Sequence, residues 1–225
     1  MMVPRKNATA RSQRDGKQRR SHEERRAETT SRLMTGALEL LLEGGYSRFR
    51  IADAAKRAGV SRGGQTYHFS TKMDLIETAI ETQFRKEIDE NRNKARNTAQ
   101  SDIIRLGAEH TSAFLAGKLF KSCMNLLISV KQPSALADKV KSISIKSREP
   151  IEAAWIDRLV DSGADAEAAR DAFWLLWNVQ RGMAVQKHIG GDPGGSDDIL
   201  EYTVGLLNDY VSRKSLTCSP KNPGL

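Results

Sequence analysis

The residues best equipped for chemistry lie between Ile51 and Lys72, IADAAKRAGVSRGGQTYHFSTK, and what they offer is hydrogen bonding and charge rather than bond making. Ser61, Arg62, Gln65, Thr66, Tyr67, His68 and Lys72 bring hydroxyls, an amide, an imidazole and two cations into one short run. The apolar residues around them repeat at helical spacing: Ile51, Ala54, Ala55 and Ala58 mark one short helix, Gly59 breaks it, and Val60 plugs the core. Ser61 can cap a second short helix. In a helix-turn-helix unit of this kind the second helix enters the major groove with its N-terminal half. Arg62, Gln65, Thr66, Tyr67 and His68 would then be offered to bases and phosphates.

Each of these residues suits a particular contact. Ser61 at the cap and the free amides behind it form an anion site for a phosphate, and Arg62 adds a mobile charge. Gly63 and its neighbour Gly64 cost about 1 kcal/mol each against alanine inside a helix, and they permit close backbone approach to DNA. Gln65 can hold adenine N6 and N7 with both amide groups, so we assign it as the main base reader. Thr66 can touch a thymine methyl or a phosphate, while Tyr67 and His68 suit phosphate. No Cys, His or carboxylate stands at ligand spacing around His68, so we expect neither a metal there nor a catalytic residue.

The elements that must position these residues read as helices throughout. The first runs from about Glu23 to Glu43, with Leu33, Ala37, Leu38 and Leu41 on one face and Gly44 with Gly45 as its stop. Tyr46 then packs beneath the motif. Helices are predicted over about 50–58, 61–69 and 72–96, the last capped by Thr71, and five more over about 102–118, 120–131, 134–161, 165–187 and 196–213. Pro150 should kink or split the third of those five. With no strand pattern, the fold class is all-α with about nine helices: an N-terminal three-helix helix-turn-helix domain and a C-terminal helical domain. We place a basic tail at 1–26, the DNA-binding domain at 27–87, the second domain at 88–215 and a frayed end at 216–225.

Composition agrees with a nucleic-acid partner. The net charge of +8 is concentrated, since residues 1–80 hold 16 Lys and Arg against 9 Asp and Glu, and residues 81–225 hold 20 against 19. Neutralising phosphates releases counterions, so such an excess favours DNA. Nine of the basic residues fall in the tail, from Arg5 to Arg26, where almost nothing apolar could hold them to a core. That tail should be disordered and lie along the DNA backbone or in the minor groove. No run reaches the roughly 18 apolar residues of a membrane helix, and no apolar segment follows the basic start, so we expect a cytoplasmic protein without a membrane partner. Cys123 and Cys218 stand far apart, which argues against a structural disulfide.

The window from about Leu33 to Ile80 resembles the DNA-binding domain of TetR-family transcriptional regulators, through GGY at 44–46, AGVSRG at 58–63, HF at 68–69 and TKMDL at 71–75. The resemblance implies that Lys72 contacts the DNA backbone and that Phe69 is buried. It also marks departures. The family's tyrosine often stands where this chain has Thr66, with Tyr67 one place later. Arg48 and Arg50 occupy positions where the family often has small or hydroxylated residues, and either phosphate contact or solvent exposure fits them.

For the C-terminal domain the resemblance implies an effector cavity and a dimer interface. Candidate cavity residues are His110, Phe114, Met124, Trp155, Trp177 and Gln180, with ordinary core packing as the alternative for each. The helix at 168–187 is apolar nearly all round, and the last helix places Ile199, Thr203, Leu206, Leu207 and Tyr210 on one face. Two such helices from each subunit could build a homodimer, though a monomeric core explains them as well. We therefore expect a repressor released from a palindromic double-stranded DNA operator by an unknown small, largely apolar effector, with no cofactor. A DNA-binding dimer without an effector is the alternative; a helical enzyme or a protein-interaction module fits less well.

Overall fold

In the computed structural model, residues 21–131, 133–191 and 194–218 are described, and among them there are helices and no strands. The N-terminal tail at 1–20 and the end at 219–225 lie outside the described residues.

The first helix, α1, runs from His22 to Arg48. It starts inside the segment expected to be a loose tail because Ser21 and Glu24 form a reciprocal cap: the Glu24 amide donates to Ser21 Oγ at 3.0 Å and the Ser21 amide to Glu24 Oε2 at 2.8 Å. Leu33, Ala37 and Leu41, at four-residue spacing, are buried along its inner face. The glycine pair bends the chain instead of ending it. Gly45 has φ 62° and ψ −170°, and a further turn continues to Arg48. A Cβ at Gly45 would lie 2.5 Å from Ser129 Oγ, so no larger residue fits there.

Helices α2 (Ile51–Arg57) and α3 (Arg62–His68) follow, separated by Gly59 at φ 64°. Ala54, Ala55 and Ala58 pack with Phe49, Phe69 and Leu75 over the inner face of α1. Thr71 caps α4 (Lys72–Asn97), which is buried at Leu75, Ile76, Ala79, Ile80 and Phe84 and so extends the same core away from the motif. The 87/88 boundary drawn from sequence falls inside this helix.

After a single turn at Gln100–Asp102 come α5 (Ile103–Ala116), α6 (Lys118–Ser129), α7 (Ala135–Asp161), α8 (Ala166–His188) and α9 (Ser196–Cys218). Pro150 does not split α7, which is one helix across it. The apolar core has two parts. One joins the helix-turn-helix unit to α6, the start of α7 and Trp177, and the other gathers α5, α7, α8 and α9 around Trp155, Phe173, Leu176 and Leu207. The first part matters most for function, because one packed body links the motif to the second domain.

Candidate nucleic-acid interface and ligand cavity

Helix α3 presents fewer residues than its sequence offers. Ser61 Oγ caps it, accepting from the Gly64 amide at 3.2 Å. Arg62, Gly63, Thr66 and Tyr67 are exposed, Tyr67 to 70%. Gln65 is a correction: it is buried at 6% exposure, and its Nε2 donates to the Phe69 carbonyl at 2.7 Å. Position 65 stands one turn before the buried Phe69 and on the same face, so the amide closes the end of α3 instead of facing a groove. Thr66 donates to the Arg62 carbonyl at 3.0 Å, leaving its methyl and a hydroxyl lone pair outward.

Lys72, expected at the DNA backbone, is half-buried and has partners within the protein. Its Nζ donates to the Tyr46 carbonyl at 2.7 Å and sits 3.6 Å from the centre of the Tyr46 ring, which joins the start of α4 to the end of α1. Burial lowers its pKa below the ordinary lysine value. Arg48 and Arg50 are exposed. Close by, Arg57 makes two hydrogen bonds to the Glu43 carboxylate at 2.7 and 2.9 Å, which braces α2 against α1.

Residues assigned to the tail prove part of this surface. The first turns of α1 carry His22, Arg25, Arg26 and Thr29 alongside Tyr67 and His68 around an open groove of about 670 Å³. The Arg26 guanidinium lies 5.4 Å from the Tyr67 ring centre, and Thr30 Oγ1 is 3.0 Å from His68 Nδ1. The signal for this was present as Ser21-His-Glu-Glu24, a capping box ahead of the apolar stripe. The exposed face at α3 is thus basic and aromatic, with cations from two helices.

Further along the first core, a cavity of about 460 Å³ opens among α4, α5, α6, α7 and α8. Three of the expected cavity residues line it: Phe114, Met124 and Trp177. Phe114 stacks on Trp177 with centroids 5.7 Å apart and meets Phe84 at 6.0 Å and Phe120 at 6.3 Å. Sequence reasoning missed Phe84, Phe120, Ser144, Arg148 and Arg181, which also line it. Arg181 stands four residues after Trp177, and Ser144, Arg148 and Ile151 recur on one face of α7. Polar residues set into an apolar helical stripe were the available signal.

The other three expected residues lie elsewhere. His110 faces a separate space of about 330 Å³ with Glu87, Glu90 and Lys94; burial, helped by Lys94, lowers its pKa. Trp155 is core, its Nε1 donating to Asn91 Oδ1 at 3.0 Å. Gln180 is buried and accepts from Ser112 Oγ at 2.8 Å beside a third space bounded by α5, α8 and α9.

Helix α6 stands between cavity and motif with a different chemistry on each side. Cys123, Met124 and Leu127 line the cavity; Cys123 is a free thiol whose burial pushes its pKa up to about 12. Ser122 donates to the Leu38 carbonyl at 2.8 Å, Asn125 donates to the Leu42 carbonyl at 2.7 Å, and Ser129 Oγ accepts from the Tyr46 amide at 2.7 Å. Three successive hydrogen bonds therefore fix α6 along the second half of α1. At the far end of the molecule, α8 and α9 leave Trp174, Leu175, Ile199, Tyr202 and Leu206 exposed, and Cβ atoms added at Gly182 or Gly205 would meet open space.

Comparison with known proteins agrees with this arrangement. Residues 33–79 match the family model described as bacterial regulatory proteins, tetR family. The HTH-type transcriptional regulator CymR of Pseudomonas putida is 32% identical over 196 residues, spanning 87% of this chain and 97% of the relative. Among solved structures, a TetR-family regulator from Mesorhizobium loti superposes with a TM-score of 0.68 at 15% identity, covering 84% of this chain and 98% of that one. FadR from Bacillus subtilis, solved in complex with stearoyl-CoA, gives 0.55 at 18% identity, covering 80% and 97%. With its helix-turn-helix unit and all-helical fold, the chain belongs to the TetR family of DNA-binding transcriptional regulators and is not an enzyme.

Proposed function

We propose that this regulator acts as a homodimeric repressor on a palindromic operator and that a small, largely apolar effector releases it. The observation that carries the effector reading is the 460 Å³ cavity, large enough for a small ligand and walled mainly by aromatic and aliphatic side chains. Two of its walls reach the DNA-binding unit. Helix α4 lines the cavity with Phe84 and holds Tyr46 with Lys72, and α6 lines it with Met124 and is hydrogen-bonded to α1. A ligand that fits one arrangement of these helices better than another shifts the spacing of the two recognition helices in the dimer.

The uncovered apolar residues of α8 and α9 support dimerisation through those two helices, because a monomer in water gains nothing by exposing Trp174, Leu175, Tyr202 and Leu206. Two copies then present two α3 helices to successive major grooves, about 34 to 36 Å apart. Its place of action is the cytoplasm, where a bacterial chromosome lies.

A duplex selected from a random pool by the full-length protein, labelled and followed by fluorescence anisotropy, tests the reading. A compound that raises the melting temperature of the protein should also release the duplex. Compounds that bind in the cavity without changing operator affinity would leave a DNA-binding dimer with no effector.

A further inference from the structure

The polar groups set into the cavity point to the chemistry of its occupant, an inference that rests on the effector reading above. Arg148 and Arg181 both line the space, among Phe84, Phe114 and Trp177. Arg148 faces Glu152 at 3.4 Å, but in a geometry that leaves Arg148 Nε and Glu152 Oε1 without hydrogen bonds. Arg181 is half-buried, and no carboxylate lies within 4 Å of it among the described residues. Its guanidinium sits 5.4 Å from the Trp177 ring centre. Burial and the neighbouring Arg148 both oppose its charge, with Glu152 as the favourable influence. Trp177 Nε1 is buried with no acceptor.

The wall therefore carries two cations, with the one carboxylate of Glu152 beside Arg148, and it holds N–H donors at Arg148 Nε and Trp177 Nε1 that nothing among the described residues accepts. A buried donor without a partner costs free energy, and an uncompensated half-buried cation costs more. An occupant that offsets the excess cation and satisfies the donors must bring a negative charge and hydrogen-bond acceptors. We infer that the cavity takes a small monocarboxylate, its apolar body against Phe84, Phe114 and Phe120 and its carboxylate held by Arg181 with Arg148 beside it. A planar carboxylate can accept two parallel hydrogen bonds from a guanidinium, the geometry in which arginine outperforms lysine. A neutral apolar molecule of the same shape would fill the space and leave the donors unpaired. A bulky polyanion would overfill the cavity and bring more charge than the site can offset.

Matched pairs test this on the full-length protein: 3-phenylpropanoate with 3-phenylpropanamide, 2-naphthoate with 2-naphthamide, and octanoate with octanamide. Calorimetry is expected to show each bound carboxylate at least tenfold tighter than its amide, with the aromatic or the alkyl pairs leading according to which body fits. Arg181→Gln should erase the preference, and Lys187→Gln, a cation outside the cavity, should keep it. Amides that bind as tightly as carboxylates, or six compounds that all fail to bind, would overturn the inference. Operator release by the same compounds is read separately by anisotropy. Carboxylates that bind through Arg181 without releasing DNA refute effector control and leave the site standing, whereas release by the amides alone supports effector control and refutes the carboxylate site.

Discussion

Lys72 Nζ lies 2.7 Å from the carbonyl oxygen of Tyr46 and 3.6 Å from the centre of its ring, so one side chain joins the first turn of α4 to the last turn of α1. A charged hydrogen bond of this kind contributes roughly 1.5–3 kcal/mol, and the ring adds about 0.5–1 kcal/mol at a partly exposed site. Lys72→Met should therefore lower stability in urea unfolding by about 2–4 kcal/mol and weaken binding to operator and unrelated duplexes alike. Unchanged stability with a loss confined to DNA binding would return Lys72 to a direct phosphate contact.

Gln65 and Tyr67 should separate cleanly. Gln65→Leu removes the donor that satisfies the Phe69 carbonyl, at a cost of about 1–3 kcal/mol in unfolding free energy, while base preference in a selection experiment stays as it was. Tyr67→Ala, at an exposed position, should leave stability within about 0.5 kcal/mol and reduce DNA affinity. A base preference that changes with Gln65→Leu would place its amide in the groove after all.

The α6 ladder predicts an uncoupled variant. Asn125→Ala deletes the donor to the Leu42 carbonyl and the partner of His188 Nε2, yet touches neither the cavity wall nor the DNA-facing surface. Ligand affinity measured on free protein should change little, and the ligand-induced loss of operator affinity should shrink, by up to about tenfold if the link contributes some 1.4 kcal/mol of coupling. Full release by the variant would move the coupling to α4 alone.

His110 should make the fold acid-sensitive. Burial and Lys94 hold its pKa below the ordinary histidine value, with Glu90 opposing, so the unfolded chain binds the proton more readily. Stability from this group is present above about pH 6.5 and is lost as pH falls through the depressed folded value. Glu87, facing the same space, works the other way: burial raises its pKa, so acidification favours the fold there. In thermal melts, His110→Gln relative to the parent protein should therefore gain melting temperature between pH 7 and pH 5.5. A difference that is flat across that range would remove His110 as a buried titrating group.

The uncovered residues of α8 and α9 predict the oligomer. The parent protein should sediment at twice the 25.0 kDa chain mass, and Leu206→Glu, placing a charge among Trp174, Leu175 and Tyr202, should sediment as a monomer and lose operator binding. A dimer that survives Leu206→Glu together with Leu175→Glu would put the interface elsewhere.

The helices were legible because their signals are local: Ser61 and Thr71 cap, Gly59 turns, and Leu33, Ala37 and Leu41 repeat at helical spacing. Side-chain direction within the motif was not, since α3 is seven residues long and its burial is set by the elements it packs against, α2 foremost. Gln65 reads as a base reader by chemistry and is buried by geometry. The cavity was half legible. Phe114, Met124 and Trp177 follow from aromatic and apolar stripes, whereas Arg148 and Arg181 look like ordinary surface charges until α7 and α8 bring them together.

Sequence-specific binding by a dimer is measured most directly by an anisotropy titration of the full-length protein on its selected operator and on a scrambled duplex, repeated across salt concentrations. Expected are two chains per operator, a preference over the scrambled duplex of at least about a thousandfold, and affinity that falls steeply with salt. Equal affinity for both duplexes, or binding indifferent to salt, would contradict it.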